Sequence, residues 1–197
     1  DESIAVGLQA VLVSPQFLFR IEQDQPAGEE RRLNDFELAS RLSYFLWSAA
    51  PDEELLSLAE QGRLSDQATL HAQVRRMMQD GRASALAENF GGQWLQFRAL
   101  ESAEPDKALF SRFDHYLRWS MEQETKLLFE HIMRNDRSVL DFVNADYSFW
   151  NENLARFYGV PGVRGPEFRR VDLNGTQRRG VLTHGSVLTV SSYATRT

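Results

Sequence analysis

Apolar side chains recur every three or four residues along most of this chain, which is the spacing of amphipathic helices. The clearest run lies between residues 113 and 134. Shorter runs follow Ser14-Pro15 and Asn34, residues that favour the start of a helix. The predicted helices cover residues 4–13, 34–49, 51–61, 65–80, 83–97, 113–134 and 151–158.

The pattern changes near the carboxyl end of the chain. Residues 168–173 alternate between apolar and polar positions, which predicts one strand, and Asn174-Gly175 predicts a turn after it. A last helix is expected over residues 179–189. The fold class is therefore mainly α, a multi-helix domain with a short strand and helix extension at its carboxyl end. The predicted organisation is N-terminal helices packed on the body (1–30), a helical domain (31–160) and the start of a following module (161–197).

Charge is unevenly distributed along the 197 residues. Residues 1–160 carry 16 basic and 26 acidic side chains, whereas residues 161–197 carry six arginines against Glu167 and Asp172. The net charge of −6 argues against a nucleic-acid partner. We expect the basic end either to dock on the acidic body or to bind an anion.

The sequence contains no cysteine, so this chain has no disulfide, no thiol nucleophile and no Cys-x-x-Cys-His site for covalent haem. No apolar run approaches the ~20 residues of a membrane span. The phosphate-binding, dinucleotide-binding, zinc-protease and serine-hydrolase motifs are absent too. Because cysteine and these motifs are absent, we expect no cofactor in this chain.

The long helix carries two side chains of chemical interest. A helical wheel places Glu124 and His131 two turns apart on one stripe flanked by leucines. Such a pair could act as acid and base or bind a metal. The alternative is structural, with a half-buried Glu124 paired to an arginine of a neighbouring helix. Thr125 is expected to bond the backbone carbonyl four residues earlier.

The last twenty residues combine Arg178, Arg179, His184 and several hydroxyls, including Ser186, around a short apolar core. They contain no cap or charged tail, so we expect the chain to be a piece of a larger protein. Arg178, Arg179 and Ser186 are candidate binding residues, and His184 joins Glu124 and His131 as a weak catalytic candidate. Arginine is unfavourable at a helix start. Hence at least one of the pair is expected to form a salt bridge to an acidic residue within 31–160.

Several segments resemble a planctomycete-type, cytochrome-associated protein family of unknown function. The similar segments are LVSPQFLFR (12–20), LASRLSYFLW (38–47), NFGGQWL (89–95), Glu124-Thr125, DRSVLD (136–141), NADY (144–147), Asn151-Glu152, YGVP (158–161) and RRGVLTHGS (178–186). They cover nearly the whole chain in order.

The resemblance implies a domain of a large, exported, multidomain protein with a c-type haem on another domain. It leads to the hypothesis of an accessory or substrate-facing domain of a haem-linked oxidoreductase, with other domains of the same polypeptide as partners. It supplies no catalytic residue.

Two alternatives remain open. The first is a non-catalytic binding or scaffolding module that recognises carbohydrate or a cell-surface partner through exposed tryptophans among Trp47, Trp94, Trp119 and Trp150. Two or more tryptophan rings that are coplanar and exposed on one face would favour it, and burial of the rings in the core would remove it. The second is a stand-alone metal enzyme that uses Glu124 and His131.

Overall fold

The computed structural model of this protein describes residues 2–19, 22 and 31–192. Helices account for most of these residues, so the predicted mainly α class is confirmed. The α-helices are α1 (Glu2–Leu12), α2 (Pro15–Leu18), α3 (Asp35–Trp47), α4 (Glu53–Glu60), α5 (Gln67–Gln79), α6 (Ser84–Leu86), α7 (Gly92–Trp94), α8 (His115–Arg134), α9 (Asp141–Asn144), α10 (Glu152–Phe157) and α11 (Gly185–Ser191). The strands β1 (Tyr147–Trp150) and β2 (Arg169–Asp172) pair antiparallel, with Tyr147 opposite Asp172.

Side-chain caps determine where several helices begin. Ser14 accepts a hydrogen bond from the amide of Phe17, and Asn34 forms a reciprocal capping box with Glu37, as the sequence predicts. Asp114 caps α8 by accepting from the Leu117 amide at 2.7 Å. These bonds satisfy amides that have no partner within the first turn of a helix.

The helix predicted over residues 83–97 is wrong as a single helix. The segment consists of a 3₁₀ turn, α6, a π-helical turn over Ala87–Gly91, α7 and a second 3₁₀ stretch over Phe97–Ser102. A Cβ on Gly91 would lie 2.9 Å from the Phe129 ring, and one on Gly92 would lie 2.7 Å from Arg98. The glycine pair therefore allows close packing at the cost of a regular helix.

The chain divides into two compact units, one ending at Met77 and one starting at Met78. In the first unit α3 packs against α4, and Leu55 and Leu64 are fully buried. The Trp47 indole donates to the carbonyl of Met77 at 2.9 Å. Asp35 accepts from the amide of Leu64 at 2.6 Å and thereby joins the start of α3 to the loop before α5.

The side chains described in α1 and α2 are mostly exposed, and α1 buries none. Residues 20, 21 and 23–30 lie outside the described residues. The packing of residues 1–30 on the body therefore stays a prediction.

The second unit is built around α8. Leu117, Met121 and Leu128 of this helix are buried and face two apolar clusters. The first also contains Leu100, Trp150, Leu154, Ala155 and Leu173, and the second contains Ile132, Ala145, Tyr147 and Val181. Residues beyond 160 thus contribute to the same core, while the domain division predicted at 160 stays a prediction. None of the helices in the described ranges is long and apolar enough to cross a membrane.

Candidate functional site

A buried carboxylate lies at the centre of the second unit. Glu124 Oε1 accepts hydrogen bonds from Ser148 Oγ at 2.9 Å and Trp150 Nε1 at 2.6 Å, and Oε2 accepts from Tyr158 Oη at 2.6 Å. Glu124 is 1% exposed. Three donors suit an ionised carboxylate, which offers only acceptors, and they offset part of the cost of its burial.

A histidine completes this group from a distant part of the sequence. His184 Nε2 lies 3.9 Å from Glu124 Oε1, and His184 Nδ1 lies 2.8 Å from Thr125 Oγ1. Thr125 Oγ1 in turn lies 2.7 Å from Ser186 Oγ. One arrangement uses these donors in sequence: Ser186 donates to Thr125, Thr125 donates to Nδ1, and the Nε2 hydrogen faces Glu124.

We refer to Glu124, Thr125, Ser148, Trp150, Tyr158, His184 and Ser186 as the polar cluster. These residues come from α8, β1, the end of α10 and the start of α11. All except the half-buried Tyr158 are buried. Burial lowers the pKa of His184, with Glu124 opposing and Arg178 reinforcing the effect. The lowered pKa favours the neutral form of the His184 imidazole.

Tyr158 connects the polar cluster to the surface of the unit. Its hydroxyl donates to Glu124 and accepts from the amide of Gly185 at 2.7 Å. Burial raises its pKa well above the ordinary value, and the Glu124 charge and hydrogen bond act in the same direction. A Cβ on Gly185 would lie 2.8 Å from Tyr158 Oη and 2.9 Å from Met121, so glycine is required for this approach.

A cavity of about 1030 Å³ lies on the outer side of Tyr158. Most of its lining is apolar and comes from Leu109, Phe110, Phe113, Met121, Phe157 and Leu188. Tyr158, Gly185 and Arg178 border the same space, so the cavity meets the polar cluster at the phenol. The carbon of the Arg178 guanidinium lies 3.5 Å from the centroid of the Tyr158 ring.

His131 lies apart from the polar cluster. Its ring packs against Tyr147 and Phe149, with centroids 5.3 Å away in each case, and Asn135 Nδ2 lies 3.3 Å from its Nδ1. Seven residues of α-helix separate Glu124 and His131 by about 10 Å along the axis. The structure thus brings Glu124 together with His184, and leaves His131 in an aromatic contact.

The paired arginines are bound differently from the sequence-based expectation. Arg178 Nη1 donates to the carbonyl of Thr183 at 2.5 Å, and Arg179 Nη1 donates to the carbonyls of Leu173 and Arg178. Neither forms a salt bridge with an acidic residue among the residues that the structure describes. The salt-bridge prediction is wrong because backbone carbonyls and the Tyr158 ring take the place of carboxylates.

Two further local predictions are wrong. The helix expected over 179–189 is a 3₁₀ turn over Val181–Thr183 followed by α11, because Gly180 has a φ of +46° and His184 is extended. Thr125 directs its hydroxyl to His184 and Ser186 instead of a backbone carbonyl. Of the candidate binding residues, Arg178 borders the cavity, whereas Arg179 and the buried Ser186 are not part of its lining.

The sequence does not single out Ser148 and Tyr158 as members of the site, and it indicates Trp150 only as a core or rim aromatic or as one of the tryptophans that could bind a sugar. Ser148 and Trp150 lie on β1, whose residues are covered on both sides of the strand. The segment therefore shows no alternation of apolar and polar positions that would predict a strand. The helix predicted over 151–158 makes Tyr158 a helix end, which is its backbone position. Its place as the first residue of YGVP (158–161), one of the segments that resemble the family, is the available signal.

Comparison with protein families identifies the group to which this chain is related. Residues 33–160 match the family PSD4, described as "Protein of unknown function (DUF1592)". The chain belongs to this family. The matched region of the DUF1592 family contains Glu124, Ser148, Trp150 and Tyr158 of the polar cluster, while His184 and Arg178 follow it. No curated protein and no solved structure matches the chain.

The residues of this DUF1592 domain do not fit a c-type haem, since the sequence has no cysteine to attach one. Within residues 2–19, 22 and 31–192, no three His, Asp or Glu side chains are grouped so as to hold a metal ion.

Proposed function

We propose that this chain is an accessory, substrate-facing domain whose cavity binds a small organic molecule. The observation that carries the proposal is the cavity of about 1030 Å³. Its mostly apolar lining with a smaller polar part is typical of small-molecule sites, which have volumes of ~300–1000 Å³. Arg178 and Tyr158 belong to the polar part, together with Arg112, Glu104 and Asp106.

We assign binding to this cavity without a reaction. Glu124, Ser148 and His184 are the groups with acid–base or nucleophilic chemistry, and all three are buried and bonded within the polar cluster. The Tyr158 hydroxyl is held between Glu124 and the Gly185 amide. The raised pKa of Tyr158 keeps this hydroxyl protonated, so it supports the wall and does not supply a base.

The larger setting is an exported, haem-c-linked oxidoreductase of planctomycete type, of which this chain is one domain. The sequence segments that resemble that family support this part of the proposal. The haem would be carried by another domain of the same polypeptide, because this chain contains no cysteine. The cavity would then present or retain a substrate of that protein.

Two measurements test the two parts of the proposal separately. The first is fluorescence titration of this chain with N-phenyl-1-naphthylamine, a neutral apolar dye, and saturable binding at one site is expected. The second is purification of the longer protein, for which a c-type haem absorbance band and oxidation of an electron donor are expected. Absence of saturable dye binding contradicts the binding function, and absence of both haem and redox activity contradicts the setting.

A second candidate function rests on the exposed aromatic rings. Trp47 and Trp150 are buried, which removes them from any sugar-binding surface, but Trp119 is 39% exposed. Trp119 stacks on the exposed Tyr116 at 5.6 Å with an interplanar angle of 17°. Such a pair suits the face of a sugar ring.

Affinity electrophoresis in gels that contain soluble polysaccharides tests this candidate. Retardation that is lost in Trp119→Ala and kept in Trp94→Ala supports a carbohydrate-binding module. Trp94 is the control because it is 54% exposed but packs on Phe90 and Phe142 in a different aromatic group. Equal mobility of wild type and both variants contradicts the candidate.

A further inference from the structure

We propose that the cavity takes a small organic monoanion, a carboxylate or sulfonate with an apolar body, whose acid group binds the guanidinium of Arg178. This inference rests on the proposed binding function and specifies the chemical class of the ligand. The apolar body would lie against Leu109, Phe110 and Leu188, and the acid group would lie beside Tyr158.

The guanidinium of Arg178 is held in place but not neutralised. It lies over the Tyr158 ring, and Nη1 donates to the Thr183 carbonyl. An arginine has five N–H donors, so this one carbonyl leaves most of the fork available. No carboxylate oxygen in the described part of the chain lies within 4.0 Å of it.

Several other arginines of the same unit are paired with acids. Arg137 pairs with Asp141 at 3.0 Å and Arg156 with Glu152 at 2.6 Å, and Arg134 lies 3.8 Å from Glu130. Arg178 differs from these in that it borders an apolar cavity, where a charge is less screened than at the surface. An anionic ligand would supply the missing partner through a bidentate contact.

The charged groups that border the cavity balance one another. Arg178 and Arg112 are the cations of its lining, while the Tyr158 hydroxyl is already committed to Glu124 and Gly185. Glu104 and Asp106 also border the cavity at exposed positions. Their carboxylates would repel a second acid group on the ligand.

Two dyes of nearly the same shape test the inference. 8-Anilinonaphthalene-1-sulfonate carries one sulfonate, and N-phenyl-1-naphthylamine is its neutral counterpart. We expect Arg178→Gln to weaken binding of the sulfonate dye by about tenfold or more, the effect of losing one charge-assisted contact. The same variant should change the affinity for the neutral dye by less than about twofold. The affinity of Arg178→Lys for the sulfonate dye should lie between those of wild type and Arg178→Gln.

Arg179→Gln is the matched control, because Arg179 is the adjacent arginine and is not part of the cavity lining. It should leave both affinities unchanged. Wild-type protein provides a measurement that does not depend on the folding of a variant. Raising NaCl from 50 to 500 mM should weaken binding of the sulfonate dye and not that of the neutral dye.

The outcomes distinguish the inference from the function on which it rests. If neither dye binds, the binding function itself is contradicted. If the neutral dye binds but the affinity for the sulfonate dye changes neither with Arg178→Gln nor with salt, the binding function is supported and the anion inference is overturned. Binding of the sulfonate dye at the exposed apolar side chains of α1 and α2 would also be insensitive to Arg178→Gln, and this result would count against the anion inference.

Discussion

The guanidinium carbon of Arg178 lies 3.5 Å from the centroid of the Tyr158 ring, and the hydroxyl of that ring donates to Glu124. A cation over a tyrosine face contributes about 0.5–2 kcal/mol, depending on its exposure. Tyr158 therefore couples a cation at the cavity to a carboxylate in the core. A change at either end is expected to alter the position of the phenol between them.

Glu124→Gln should destabilise the protein by roughly 2–3 kcal/mol. Glutamine is uncharged and has one acceptor oxygen, so Ser148, Trp150 and Tyr158 all lose a charged partner and at least one of them loses its acceptor in a buried place. Urea denaturation measures the change. Glu130→Gln on the same helix is the control. Among the residues that the structure describes, Glu130 has only long contacts, to Lys126 and Arg134, so its replacement should cost less than about 1 kcal/mol. Equal effects would contradict the role assigned to Glu124.

Gly180→Ala should be much more destabilising than Gly175→Ala. Both glycines have positive φ, which costs alanine about 1–2 kcal/mol. Only at Gly180 would the added Cβ also meet the backbone, at 2.4 Å from the Phe142 carbonyl oxygen. Overpacking of this kind adds roughly 1–3 kcal/mol. The melting temperatures of the two variants are compared by thermal denaturation. A Gly180→Ala protein as stable as Gly175→Ala would contradict the prediction, because it would mean that α9 can shift away from the added Cβ at little cost.

The stability of the protein should fall as the pH is lowered from 7.5 to 5.5. The pKa of His184 is lowered in the folded state, chiefly by burial, so the unfolded chain binds the proton first. Stability is therefore full above the ordinary histidine pKa of about 6.5 and is lost as the pH falls through it. His131, whose pKa is lowered by burial and by Arg170 and Arg137, acts in the same direction.

His184→Gln should reduce this loss of stability by up to about 1 kcal/mol over the two pH units, as measured by urea denaturation at each pH. Ser120→Ala is the control, because it removes a buried hydroxyl that bonds Tyr116 and Asn151 while every histidine remains. It should lower stability equally at both pH values. A His184→Gln profile parallel to that of wild type would contradict the buried neutral imidazole.

Local signals in the sequence predict much of the fold. The caps at Ser14 and Asn34 and the apolar spacing of α8 depend on residues a few positions apart, and the structure confirms them. Predictions from local spacing fail where contacts between distant residues determine the backbone conformation. The π-helical turn follows from Gly91 against Phe129, a residue 38 positions away, and β1 has no alternation to reveal it.

The candidate site was less predictable than the fold for the same reason. Glu124 and His184 are both reactive residue types, but 60 positions separate them and no spacing rule joins them. The helical wheel pairs Glu124 with His131 because it considers one helix alone. The contact of Arg178 with Tyr158 also depends on the turn at Gly180, whose conformation the helix prediction for this segment did not anticipate.

The central claim is that the cavity beside Tyr158 binds a small molecule, and a cavity-filling substitution tests it most directly. Leu188 borders the cavity and is 45% exposed, whereas Leu182 is 61% exposed and not part of the lining. Each is replaced by tryptophan, and binding of N-phenyl-1-naphthylamine is titrated by fluorescence. Leu188→Trp is expected to reduce the affinity at least tenfold while Leu182→Trp matches wild type. Undiminished binding by a folded Leu188→Trp protein would contradict the claim.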